Sequence, residues 1–219
     1  MALNKLKFNS LNVTPTAGKA IGFNSSADGL EATLSGGAMT FIKKLTASSS
    51  GTLSFVDGAS DVVLDNTYKE YVFIFTNIHP EQDNRDIRFN ASTDSGSNYN
   101  VTKTTTFFNA FHNEGDSDTS LQYEAGNDLS QSTAFINLTR PVGNDNDQCT
   151  GGILHLFNPS STTFVKHYIA RFASSYEGDY IMDEFTAGYF NTTSAVDAVQ
   201  FKMGAGDIDA GTITLYGIN

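Results

Sequence analysis

An all-β fold, a jelly-roll-like antiparallel β-sandwich behind an extended N-terminal arm, is what the sequence predicts, and three observations predict it. Short apolar runs with two-residue alternation recur along most of the chain, and no stretch holds the 3.6-residue period of an amphipathic helix. The aromatics are Phe 17 and Tyr 9 with Trp 0, a choice that suits the pleated, half-buried surface of a strand. Only 4 prolines and 17% charged residues, beside abundant Gly, Ser, Thr and Asn, fit many short strands joined by turns. With 219 residues and 39% hydrophobic content, the chain can bury a sizeable core as one large β domain.

Residues 1–37 are the predicted arm. The stretch VTPTAGKAIGFNSSADGLEATLSGG (13–37) scatters Ile21, Phe23, Leu30 and Leu34 among small and polar residues, and no strand or helix period lasts in it. So little apolar surface cannot form its own core, so the arm is expected to order against other chains. Gly18, Ala20, Gly22 and Gly36 would let an extended backbone approach a neighbour closely.

The sandwich is expected over residues 38–219. Met39 to Leu45 and Leu53 to Phe55 read as two strands with a Ser-Gly turn between them. Tyr68 to Ile78 is apolar on both faces, with Tyr71, Phe73 and Phe75 opposed by Val72 and Ile74, which predicts a central strand covered on both sides. Asp86 to Asn90 alternates, setting Ile87 and Phe89 against Asp86 and Arg88. Val101 to His112, the surroundings of Tyr123, Ala134 to Leu138 and Ile153 to Phe157 supply further strands. Phe164 to Phe172 alternates well, with Tyr168, Ala170 and Phe172 opposite His167, Ile169 and Arg171. Phe185 to Phe190, Val199 to Met203 and Thr212 to Ile218 close the series, the last two divided by the turn cluster Gly204-Ala-Gly206-Asp. Many strands at short spacing without helices predict a sandwich or jelly roll.

Charge excludes one class of partner. A formal net charge of −11 repels phosphate backbones, and no Lys/Arg stripe interrupts it, so no nucleic-acid partner is expected. Cys149 is the single cysteine, which removes intrachain disulfides and cysteine-based zinc sites and reads as a small apolar residue. The opening MALNKLKFNS lacks the apolar stretch of a signal peptide, and nowhere do eighteen apolar residues run together. Synthesis in a cytoplasm without membrane insertion is therefore expected. Sequons at Asn12, Asn90, Asn100, Asn137 and Asn191 follow from the Asn, Ser and Thr content.

Catalytic chemistry is hard to find. The chain has no G-x-S-x-G elbow, H-E-x-x-H pair, P-loop or GxGxxG turn. His155 and His167 lie in apolar strands and read as hydrogen-bonded structural histidines. His112 and Glu114, with nearby Asp116, could set a base beside a carboxylate, but nothing supplies a nucleophile or oxyanion hole. Glu114, Asp116 and Asp118 in one loop, and Asp145 and Asp147 in another, are of the kind that bind Ca2+; neither has EF-hand spacing, and solvated acidic turns are the expectation. Tyr99, among Ser, Asn and Gly, has the company of a shallow glycan site, as many surface tyrosines do. No catalytic, cofactor or metal residue is predicted, and the chain reads as a non-enzyme.

Six segments resemble a family of virion proteins from tailed bacteriophages of marine bacteria, notably cyanobacteria: VTPTAGKAIGFNSSADGLEA (13–32), TYKEYVFIFTNIHP (67–80), STDSGSNYN (92–100), TTTFFNAFHNE (104–114), LHLFNPSSTTFVKHY (154–168) and GTITLYGI (211–218). The closing GTITLYGI also resembles the final strand of jelly-roll domains in phage fibres. The resemblance implies a virion structural protein, in a tail fibre or tail tip used for host attachment, with a capsid decoration or cement protein as the alternative. It brings no functional residues with it. The expected partners are further copies of the chain, as a homotrimer, other virion proteins, and a host surface glycan or receptor. A glycan depolymerase is disfavoured because glycoside hydrolysis needs two carboxylates placed across a cleft, and the chain offers only loop carboxylates.

Overall fold

The computed structural model describes residues 20–23, 26, 28–33 and 38–218. The chain divides into two compact units, residues 1–38 and 39–219. In the first, β1 (Ala20–Phe23) and β2 (Leu30–Thr33) form an antiparallel hairpin in which Ala20 faces Thr33 and Phe23 faces Leu30. No strand period was expected here, and four-residue strands are too short to show one. Ile21, Phe23 and Leu30 stay exposed, while Leu34, Gly18 and Gly36 lie outside the described residues.

The second unit is all β. Its first six strands are β3 (Met39–Thr46), β4 (Leu53–Val56), β5 (Glu70–Pro80), β6 (Ile87–Ser92), β7 (Lys103–Asn113) and β8 (Thr119–Tyr123). Six more follow: β9 (Ile136–Asn137), β10 (Thr150–Phe157), β11 (Lys166–Tyr176), β12 (Tyr180–Phe190), β13 (Ala198–Met203) and β14 (Ile208–Ile218). They build an eight-stranded sheet in the order β3-β14-β5-β10-β11-β12-β7-β8 and a four-stranded sheet in the order β4-β13-β6-β9. Every neighbouring pair is antiparallel.

Without the hairpins β7-β8 and β11-β12, two four-stranded sheets remain, β3-β14-β5-β10 and β4-β13-β6-β9. The chain alternates between them except at β6 and β9, which are neighbours in one sheet. This is the winding of two Greek keys into a jelly-roll-like sandwich. The hairpins, one inserted after β6 and one after β10, join each other and lengthen one sheet only. The β11-β12 hairpin turns through Gly178 and Asp179, both in the left-handed region at φ 82° and 63°. At the β5-β14 pairing, bulges fall beside Gly211, whose φ of 109° and close approach to the Asn77 carbonyl admit no side chain.

The core fills the space between the sheets. Tyr71, Phe73 and Phe75 of β5 point inward and are buried, whereas on the opposite face Val72 is buried and Ile74 half-buried. Phe73 meets Phe55 and Phe201 edge-on, each with ring centroids 5.3 Å apart. Phe89 packs against Tyr168 at 4.9 Å and Phe190 at 5.8 Å, tying the four-stranded sheet to the inserted hairpin. Fully burying each such ring stabilises the fold by about 1.5–3 kcal/mol.

Candidate functional site

The register of the eight-stranded sheet decides what its outer face presents. Side chains alternate between faces, so cross-strand partners share a face. One outer row runs Tyr123, Phe108, Phe185, Arg171, Ile153 and Ile74. A parallel row runs Thr106, Ala187, Ile169, His155, Val72, Tyr216 and Phe41. Among the described residues of this unit, every exposed large apolar side chain that belongs to a strand lies on this face. Met39 and Phe41 lie on the edge strand β3, Ile169, Ile181 and Phe108 on the inner strands β11, β12 and β7, and Leu121 and Tyr123 on the opposite edge strand β8. Leu121 is 73% exposed, far more than a core residue displaced by chance. Exposed apolar residues gathered on one face, not scattered singly, mark an interaction surface.

A groove of about 400 Å³ crosses the face between Phe108, Ile153, His155, Ile169, Arg171 and Phe185. Phe108 and Phe185 stack with centroids 4.8 Å apart and planes within 3°. The Arg171 guanidinium sits 5.0 Å from the Phe185 ring and makes a fork to Asp183, both nitrogen–oxygen distances 2.9 Å. That pairing holds the Arg171 pKa above its ordinary value. His155 bonds to Glu70 on the same face. The groove is thus apolar with its polar groups already paired, suited to apolar contact more than to proton transfer.

One end of the sandwich is acidic. The β7-β8 turn, the segment before β10 and the β11-β12 turn enclose a cavity of about 690 Å³ lined by Glu114, Asp145, Asp147 and Asp179, with His112 and Gln148. A second hollow of about 470 Å³ adds Asp83 and Glu177. The fold therefore unites Glu114 with Asp145 and Asp147, which the sequence sets in separate loops. Asp116 turns instead to His112 (Oδ1 to Nε2 3.0 Å), and Asp118 accepts a hydrogen bond from the Tyr180 hydroxyl (3.1 Å). Asp83, Glu177 and Asp179 carry little local signal in the sequence; the Glu177-Gly-Asp179 turn marks only the last two. Among the described residues, no three His, Cys, Asp or Glu side chains converge as metal ligands.

The remaining sequence candidates are placed as follows. His155 is hydrogen-bonded as expected, but on the outer face. His167 departs from expectation: it is exposed on the outer face beside Tyr189, ring centroids 6.0 Å apart. Its parity along β11 puts it opposite Tyr168, and Tyr168 takes the core. The Tyr99 hydroxyl folds over Gly96, and its loop is braced by Asp94 bonds to Ser92 and Asn98. Cys149 is half-buried in the strand approach to β10.

Sequence reading missed a polar cluster on the inner face. Glu184 is fully buried; Ser174 Oγ donates to its Oε2 at 2.6 Å, and the Arg140 backbone N–H donates to its Oε1. Burial pushes the Glu184 carboxyl up to about 8, against the opposing pull of these donors. Arg140 in turn reaches Glu124 at 3.0 Å, so the cluster fastens the segment around Arg140 to β12. Asn109, paired with Glu184 across the strands, is buried with neither side-chain atom hydrogen-bonded within the protein. No protein-family model, curated protein or solved structure matches this chain.

Proposed function

We propose that the protein is a non-enzymatic structural component of a tailed-bacteriophage particle, in a tail fibre or tail tip, that acts by displaying a rigid sheet face. One observation carries this reading: the exposed strand-borne apolar residues are concentrated on the outer face of the lengthened sheet. Such a face offers area and stiffness without reactive groups. The sequence resemblance to phage virion proteins supports the same reading. Repeated by symmetry as a homotrimer, the face would turn weak contacts with other virion proteins, or with a host glycan or receptor, into useful avidity. A capsid decoration protein is the second reading, favoured by the breadth of the eight-stranded face, which suits docking on a shell.

Negative-stain imaging of particles labelled with antibody to this protein tests both. Label on the tail supports the leading reading, label over the head the second, and particles without label sink both. The absence of hydrolase activity is a separate expectation. Purified protein incubated with host envelope glycans should generate no new reducing ends; ends lost on Glu114→Gln would show the acidic cavity to be catalytic, and ends lost on Asp116→Asn would place the chemistry at the His112–Asp116 pair.

A further inference from the structure

Sheet edges are the places where a β protein offers unpaired backbone groups to other chains, and edges are ordinarily blunted by shortness, charge, proline or bulges. Three of the four edges of the sandwich's two sheets are blunted. β9 has two residues and β4 four. β3 carries Lys43 and Lys44 and faces a bulge between Leu215 and Tyr216. β8, Thr119-Ser-Leu-Gln-Tyr123, has neither charge, proline nor bulge, and Leu121 and Tyr123 on it are 73% and 55% exposed.

The hydrogen-bond phase of β8 says which groups are free. Asn113 N–H donates to Asp118 at 3.0 Å and Glu124 N–H to Phe107 at 3.0 Å, so the even-numbered residues of β8 turn their backbone toward β7. Thr119, Leu121 and Tyr123 turn theirs outward, and among the described residues nothing bonds to those N–H and C=O groups. The outward set is self-complementary. Antiparallel pairing with a second β8 centred on Leu121 sets Leu121 against Leu121 and Thr119 against Tyr123, each outward N–H meeting an outward C=O. A shift by one residue would offer the inward-bonded groups of one strand instead, and a shift by two would leave one outward residue of each β8 unpaired, so the register centred on Leu121 makes the most bonds.

We propose that β8 is a homodimer interface, in which two copies pair edge to edge about a two-fold axis at Leu121 and join their eight-stranded sheets into one. This inference stands on the edge alone and does not depend on a place in a phage particle. The pairing is isologous and closes on itself, so it yields dimers and no filament. It also brings the two outer faces into continuity, each Leu121 covering its counterpart and each Tyr123 covering Thr119 of the other copy. Asp118 of one copy falls opposite Glu124 of the other; Glu124 is paired with Arg140, but the residual repulsion makes the contact salt-dependent, tighter at high ionic strength.

The experiment is sedimentation of the full chain and two variants at low and high salt. Leu121→Pro removes one outward N–H while leaving the bonds to β7, because proline is tolerated where an edge N–H faces solvent. Leu121→Lys adds a charge at the two-fold axis. Each variant should halve the mass of the wild-type assembly while keeping its circular dichroism. Leu121→Cys in a Cys149→Ala background should cross-link copies under mild oxidation, since directly opposed strand residues lie about 5.5 Å apart, within disulfide reach. A wild-type monomer at all concentrations, an unchanged mass in both variants, or no cross-link would overturn the proposal.

Discussion

Glu184 and Lys103 both lie on the inner face of the sheet extension without solvent exposure, and their ionisation drives stability in opposite directions. Glu184 is raised by burial from 4.5 to about 8, so between those values the folded protein holds a proton that the unfolded chain has lost. Its contribution is complete below 4.5 and is lost as pH rises through 8. Lys103, whose Nζ donates to the Ala134 carbonyl at 2.6 Å, is lowered by burial from 10.5 to about 7. Between 7 and 10.5 the unfolded chain holds the extra proton, so stability rises with pH there. The two slopes, each at most about 1.4 kcal/mol per pH unit, meet in a stability minimum near pH 7–8. Melting temperatures across pH 5–10 check this: Glu184→Gln should flatten the acid-side fall and Lys103→Met the alkaline rise. A monotonic wild-type profile through neutrality would show that the two groups do not titrate as their burial implies.

Among elements, β5 and the inserted hairpins behave differently toward prediction. β5 was legible because both its faces are apolar, and it lies between β14 and β10 with Phe73 fully buried. Phe73→Ala should therefore cost about 3–5 kcal/mol in chemical denaturation, the usual range for a buried Phe truncated to Ala. A loss below about 1 kcal/mol would mean that the ring's place between Phe55 and Phe201 collapses without a cavity. β11 and β12 were legible only in part. Expected ends at Phe172 and Phe185 fall short of the observed Tyr176 and Tyr180, because Ser174 and Glu184 occupy inward positions and break the apolar alternation. Conversely Ile169 and Phe185 face outward yet are apolar, so composition hides which face meets solvent. Strand existence is a local property and could be read. The order β3-β14-β5-β10 and the gathering of Glu114 with Asp145 and Asp147 depend on pairings far apart in sequence, which leave no local pattern.

At the scale of the whole molecule, stability and assembly are assigned to different parts of the chain. Among the described residues, every buried core residue lies between Ala47 and Leu215, so the second unit has a core of its own. The β1-β2 hairpin has four residues per strand, and an isolated two-stranded hairpin is marginal in water. With Ile21, Phe23 and Leu30 exposed on it, ordering such a segment costs conformational entropy that contacts with a neighbouring chain would offset. A chain beginning at Met39 should accordingly keep its β circular dichroism and much of its melting temperature. If residues 1–38 serve assembly as proposed, it should fail to form a homotrimer or to join particles, yet retain the two-fold pairing through β8. Leu121→Pro in the full chain should do the reverse, and both changes together should leave a monomer. Sedimentation of the three proteins separates the two contacts. If the shortened chain assembles with full stoichiometry, or melts far below the intact protein, residues 1–38 serve their own subunit and the attachment-arm reading fails.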